Sequence, residues 1–179
     1  MAKQKLYGVL AQFETPADVY HGCEKVRDAG FTKWDAHTPF PVHGLDRAMG
    51  MKPTPLPWIV LGMGITGFAL GLGLQYWTMA VDYKYMISGK EYFSWPAFVP
   101  ITFELTVLLS AFGAVFGMFG LNRLPTLYHD LFTVPRFARV TDDKFFISIE
   151  ATDPKFDEKE TAEFLKRAGA SAVEIVEQH

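Results

Sequence analysis

The chain has 179 residues, 49% of them hydrophobic with 16 phenylalanines, yet 21% carry charge, a mixture that implies two unlike parts rather than one uniform globule. A net charge of −3 leaves no electrostatic basis for binding nucleic acid. The single cysteine, Cys23, excludes an internal disulfide, a CxxC zinc pair, a four-cysteine iron–sulfur site and a CxxCH haem attachment.

The opening MAKQKLYGVLAQF has no uninterrupted apolar core followed by a small-residue cleavage site, so no cleaved signal peptide is expected. Within it, LYGVLAQF places Tyr7, Val9, Ala11 and Phe13 on one face of a strand at period two. Thr15-Pro16 supplies a cap and a first-turn proline for a helix that Gly30 ends. Val19, Cys23 and Val26 form its apolar stripe, which makes Cys23 a small buried hydrophobe rather than a reactive thiol. FTKWDAH then begins a second extended segment.

Next comes WDAHTPFPVHGLDRAMG, residues 34–50, dense in histidine, aspartate, proline and glycine. His37 and His43 stand six apart across Pro39-Phe40-Pro41, which is not regular helix. Zinc or copper would need further ligands, and although Asp35, Asp46 and His129 are available, no short ligand spacing recurs. Histidines bonded to backbone carbonyls in a rigid connector fit this pattern better, and no metal site is expected.

Trp58 to Ala80 contains no charge, and Pro96 to Leu121 contains only Glu104. Each exceeds the roughly 20 residues that cross a bilayer core as helix. Tyr76, Trp77, Tyr83, Tyr85, Tyr92 and Trp95 crowd the ends that face the short loop, as interfacial aromatics do. The first span includes Gly62-Met-Gly64-Ile-Thr-Gly67, a literal GxGxxG, but the apolar run continues unbroken through it and no βαβ unit surrounds it. Gly67 and Gly71, with Gly113 and Gly117, instead give each helix a small-residue packing face. Arg47, Lys52, Arg123, Arg136 and Arg139 lie outside the hairpin, against Lys84 and Lys90 in its loop. The basic excess places both termini and the soluble domain in the cytoplasm.

After the second span, DKFFISIEA sets Phe145, Ile147 and Ile149 on one strand face. Asp157 with Glu160 resembles a capping pair, and Thr161, Phe164, Leu165 and Ala168 stripe a helix that ends at Gly169. SAVEIVEQ closes as a strand. Neither β-α-β half buries enough apolar surface alone, so together they form an α+β, split ferredoxin-like βαββαβ domain with the two-helix hairpin inserted between its halves. The expected boundaries are 1–52 for the N-terminal half, 56–80 and 96–122 for the spans, 81–95 for the external loop and 123–179 for the C-terminal half.

Glu104 is the most telling single residue. It lies roughly 12 Å of helix rise inside the second span, where a carboxylate must face protein, water or a partner charge. Neither span offers Lys, Arg or His, so its partner belongs to another subunit, and a proton-handling role stands against a helix-packing one. The two connectors, through Pro39, Phe40, Pro41 and His43 on one side and Tyr128, His129, Pro135, Arg136 and Phe137 on the other, present rigid apolar-aromatic surface suited to docking protein.

Long irregular stretches carry a family resemblance: YGVLAQFETPADV, DAHTPFPVHGLDRAMG, WPAFVPITFELTVL and VPRFARVTDDKFFISIEATDPKFD. The chain resembles, over nearly its whole length, the small two-helix D-type membrane subunit of bacterial alternative complex III. It departs at His37, where an aromatic such as tyrosine is expected. The resemblance implies a subunit of a quinol-oxidising electron-transfer complex in the bacterial cytoplasmic membrane. It further implies haem c, iron–sulfur clusters and the quinol site in partner subunits, the last in a large multi-helix membrane subunit, and no catalytic residue or cofactor here. The expected role is a non-catalytic membrane subunit, in contact with lipid, that braces the large subunits and contributes Glu104 to a proton path. The alternative is a free-standing membrane metal-binding protein using a collar of His37 and His43.

Overall fold

The structure, a computed structural model, describes residues 6–86 and 88–178. The two chain ends, expected in the cytoplasm from the charge pattern, lie outside the described residues, as does position 87 of the loop. The protein divides into two compact units, one within residues 1–52 and 127–179 and one spanning 53–126.

The first unit is mixed α/β around a four-stranded antiparallel sheet. Its strands are β1 (Leu6–Phe13), β2 (Trp34–His37), β3 (Phe145–Glu150) and β4 (Ala172–Glu177), in the spatial order β2-β3-β1-β4. Helix α1 (Pro16–Ala29) joins β1 to β2, a short α2 (Leu45–Met49) follows, and α5 (Glu158–Ala168) joins β3 to β4. One sheet face packs Val9, Ala11, Phe13, Ile147 and Ile149 against Val19, Cys23 and Val26 of α1 and Leu165 of α5. The predicted stripes of both helices thus meet one sheet face.

The opposite face is buried too, which period-two reading does not foresee. Leu10, Phe146 and Val176 are covered by Leu131, Val134 and Phe137. The covering residues sit on or between two 3₁₀ segments, Asp130–Thr133 and Pro135–Thr141, of the stretch read as a connector. Tyr7 also departs from expectation. The pairing slips between Leu6 and Gly8, and Tyr7 packs with this second cluster instead of with Val9 and Phe13. A bulge adds one residue to one strand and so exchanges the faces beyond it.

Local capping explains the helix ends. Thr15 Oγ1 accepts from the Asp18 amide at 3.2 Å, and Gly30 closes α1 in the left-handed region at φ 80°. At α5, Asp157 Oδ1 accepts from the amides of Lys159 and Glu160, both at 3.0 Å. The return bond runs from the Asp157 amide to Thr161 Oγ1 at 3.2 Å, so Thr161 takes the part that the sequence pattern gave to Glu160. Arg27 Nη1 donates to the carbonyls of Arg47 and Ala48 at 3.1 and 3.2 Å, which fixes α2 on α1. The chemistry-rich stretch 34–50 is therefore largely β2, a proline turn and a docked short helix.

The second unit is a helical hairpin of α3 (Leu56–Tyr76), extended by a π-helical turn at Trp77–Asp82, and α4 (Trp95–Leu121). Leu56–Asp82 and Trp95–Leu121 are each 27 residues long and apolar enough to cross a membrane.

Asp153 carries much of the first unit's loop order. It is buried, and its carboxylate accepts from the Thr32 and Lys33 amides at 2.6 and 2.7 Å, from Thr32 Oγ1 at 3.1 Å and from the Lys155 amide at 2.8 Å. Burial raises its pKa, but these bonds outweigh it and hold the net value below the usual carboxylate range. Asp153→Ala is expected to cost about 2–4 kcal/mol by orphaning several donors at the entry to β2. Thermal and denaturant unfolding of the purified chain would measure it, and an unchanged midpoint would refute the assignment.

Candidate functional site

The hairpin's inner face is built from glycine. A Cβ on Gly67 would lie 2.3 Å from the Leu105 carbonyl oxygen, and one on Gly71 would lie 2.9 Å from Thr102 Cα. Backbone meets backbone at both places. At Gly113 the neighbour is Met63 Cβ at 2.9 Å, and at Gly117 it is the flexible end of Leu56 at 2.8 Å. Partners that run down α3 as they run up α4 make the helices antiparallel. Gly62, Gly73 and Gly120 face open space, so the apparent nucleotide fingerprint splits between the two sides of one continuous helix.

Sequence reading missed Gln75, the polar bolt of this interface. It is buried, and its Nε2 donates to the Gly71 carbonyl at 2.9 Å, the Phe98 carbonyl at 3.2 Å and Thr102 Oγ1 at 3.1 Å. Its signal was visible as an amide four residues after Gly71 in an otherwise apolar run. At the loop end, a cavity of about 310 Å³ is lined by Met79, Tyr83, Tyr85, Lys90 and Phe98 among others.

Glu104 does not join the inner face. Thr102 faces α3, and two residues further on a helix turn by about 200°. Glu104 is accordingly exposed on the hairpin's outer surface, beside Phe103, Val107, Leu108 and Ala111. Among the described residues, its carboxylate has no hydrogen bond or ion pair.

The connector residues separate by burial. Phe40, Pro41, His43, Tyr128, Pro135 and Arg136 are exposed, and Pro39 is half-buried. Phe137 corrects the docking assignment: it is only 5% exposed, because it packs edge-on against Phe146 and His37 under the sheet. His129 is likewise used internally. Its Nδ1 accepts from the Leu131 amide at 3.3 Å, and Nε2 faces the Tyr7 hydroxyl at 3.4 Å. Arg136 Nε donates to Glu174 Oε1 at 2.7 Å.

His37 Nε2 lies 3.0 Å from Ser148 Oγ, whereas His43 is exposed. Among the described residues no group of three or more His, Cys, Asp or Glu could hold a metal ion. Burial pushes the Cys23 thiol up to about 12, helped by the Asp35 charge, so it is a protonated core residue at neutral pH.

Fold and site define the class first: an α/β unit in one chain with a tightly packed pair of apolar helices long enough to cross a membrane. The family follows from comparison. The family model described as "Alternative complex III, ActD subunit" matches residues 7–175, and the chain belongs to that family. It is thus a subunit of alternative complex III, with other subunits of that complex as partners, and its two apolar helices point to a membrane location. No curated protein matches the chain.

Two outcomes are expected. Gly67→Val should lower stability by about 1–3 kcal/mol, because backbone cannot yield to the new methyl groups, while Gly73→Val should be near neutral. Thermal melts of the two variants in detergent would compare them, and equal midpoints would sink the close-approach account. For His37, burial lowers the pKa, Asp35 raises it and His129 lowers it, with a net fall. The unfolded chain then takes up this proton first, so the stability contribution is present above about 6.5 and is lost as pH falls towards the folded value. His37→Gln, which keeps a partner for Ser148, should flatten the loss of stability below that pH, as measured by melts across a pH series.

Proposed function

We propose that this chain is a cofactor-free, non-catalytic subunit that braces the large quinol-binding membrane subunits of alternative complex III and supplies Glu104 to a proton path. The observation that carries the reading is the hairpin's outer surface. Glycine closes the inner face, while Ile65, Phe68, Phe103 and Phe116 stand outward with Glu104 among such side chains. A carboxylate so placed in a bilayer demands a polar neighbour that the described residues do not supply, which favours a partner subunit over lipid.

In this reading the quinol site, the haems c and the iron–sulfur clusters belong to partner subunits. Phe40, Pro41, His43, Tyr128, Pro135 and Arg136 form the docking surface of the soluble unit. The chain order β-α-β, hairpin, β-α-β and the strand order β2-β3-β1-β4 favour a split ferredoxin-like domain that receives the hairpin between its halves. The bias of Arg47, Lys52, Arg123, Arg136 and Arg139 over Lys84 and Lys90 favours a cytoplasmic side for that domain and both chain ends.

Purification through a tag on this chain should bring down stoichiometric c-type haem, visible in a reduced-minus-oxidised spectrum, with the large membrane subunits. In that complex Glu104→Gln should leave assembly intact and lower turnover or proton coupling. Unchanged turnover and coupling in an intact complex would remove the proton role, and a lone colourless chain would remove the bracing role.

A further inference from the structure

Glu104 shares its face of α4 with a second unusual feature. Pro100 lies inside the helix, four residues before Glu104 and so on the same stripe. Proline has no amide proton, so the Pro96 carbonyl lacks its regular helical donor. Side chains tilt towards a helix N-terminus, which brings the Glu104 carboxylate back towards that turn. Glu104 therefore sets a charged acceptor on this stripe, inside an otherwise apolar span. A shallow groove lined by Phe103, Glu104, Val107, Leu108 and Ala111 runs beside it, and the small Ala111 permits close approach.

We infer that the Pro100–Glu104 face of α4 seats a transmembrane helix of another subunit of the complex, which presents a basic side chain to the Glu104 carboxylate. Charge complementarity selects this occupant. Acyl chains offer no donor, and a second copy of this hairpin brings no Lys, Arg or His on either span. An Arg or Lys supplies several N–H donors to the two carboxylate oxygens. The inference rests on the complex-subunit reading and is independent of the proton path.

The test uses the whole complex, purified with p-benzoylphenylalanine at Val107 or Ala111 of this chain and irradiated. The expected product is a crosslink to another membrane subunit, mapped by mass spectrometry to within about one helical turn of a Lys, Arg or His. Adducts to lipid alone in a complex that retains this chain would overturn the inference, as would a crosslink to a helix with no basic residue near the adduct. A second arm compares retention of the chain, relative to haem, after a detergent wash. Glu104→Gln keeps the acceptor oxygen and should be retained, whereas Glu104→Lys should fall by about tenfold or more, since it sets like charges against each other in a buried site. Equal retention of the two variants contradicts the basic partner. Absence of the wild-type chain from the complex would overturn the inference together with the reading on which it rests.

Discussion

The pairing of Gly8–Phe13 with Phe145–Glu150 is the contact on which the soluble unit depends. These are the two central strands, and each carries one outer strand, so without them neither β2 nor β4 has a place to pair. They come from opposite ends of the chain, and the whole hairpin lies between them in sequence. Loop-closure entropy grows only slowly with length, at about 0.6 kcal/mol for each doubling, so a long intervening segment is tolerable. What that segment must do is return the chain. Two antiparallel spans do so, because their free ends emerge together.

Inside the hairpin a different physics holds the parts. Lipid offers no hydrophobic drive to bring two helices together, so association depends on close packing and on polar contacts. Gly67 and Gly71 let backbone approach backbone, and Gln75 then ties α3 to carbonyl and hydroxyl acceptors on α4. With the inner face so fully used, Glu104, the one charged residue of α4, faces outwards. The division is plain: one face makes the hairpin, and the other stays exposed.

The soluble unit shows a comparable division. Its connector after α4 is spent largely on the fold, with Leu131, Val134 and Phe137 roofing the second sheet face and His129 capping a 3₁₀ turn. Only part of the aromatic-rich surface suggested by composition remains exposed. Buried aromatics in a connector look the same in a sequence as exposed ones, because neither has a period that reveals what lies beneath.

The strands, the capped helices and the two apolar spans were legible in the sequence. Their signals are local: period two at Phe145, Ile147 and Ile149, a cap and proline at Thr15-Pro16, and runs too long and apolar for most soluble helices. Gly67, Gly71 and Glu104 could be singled out because glycine density and a lone charge are conspicuous in such a run. Tertiary structure alone decided the bulge that turns Tyr7 over, the exchange of Glu160 for Thr161 in the α5 cap, the burial of Phe137 and the role of Gln75. Each depends on which residues from distant parts of the chain come to lie side by side, and no local spacing encodes that. Side-chain type and period specify an element and its apolar face; the partner across that face exists only once the chain has folded.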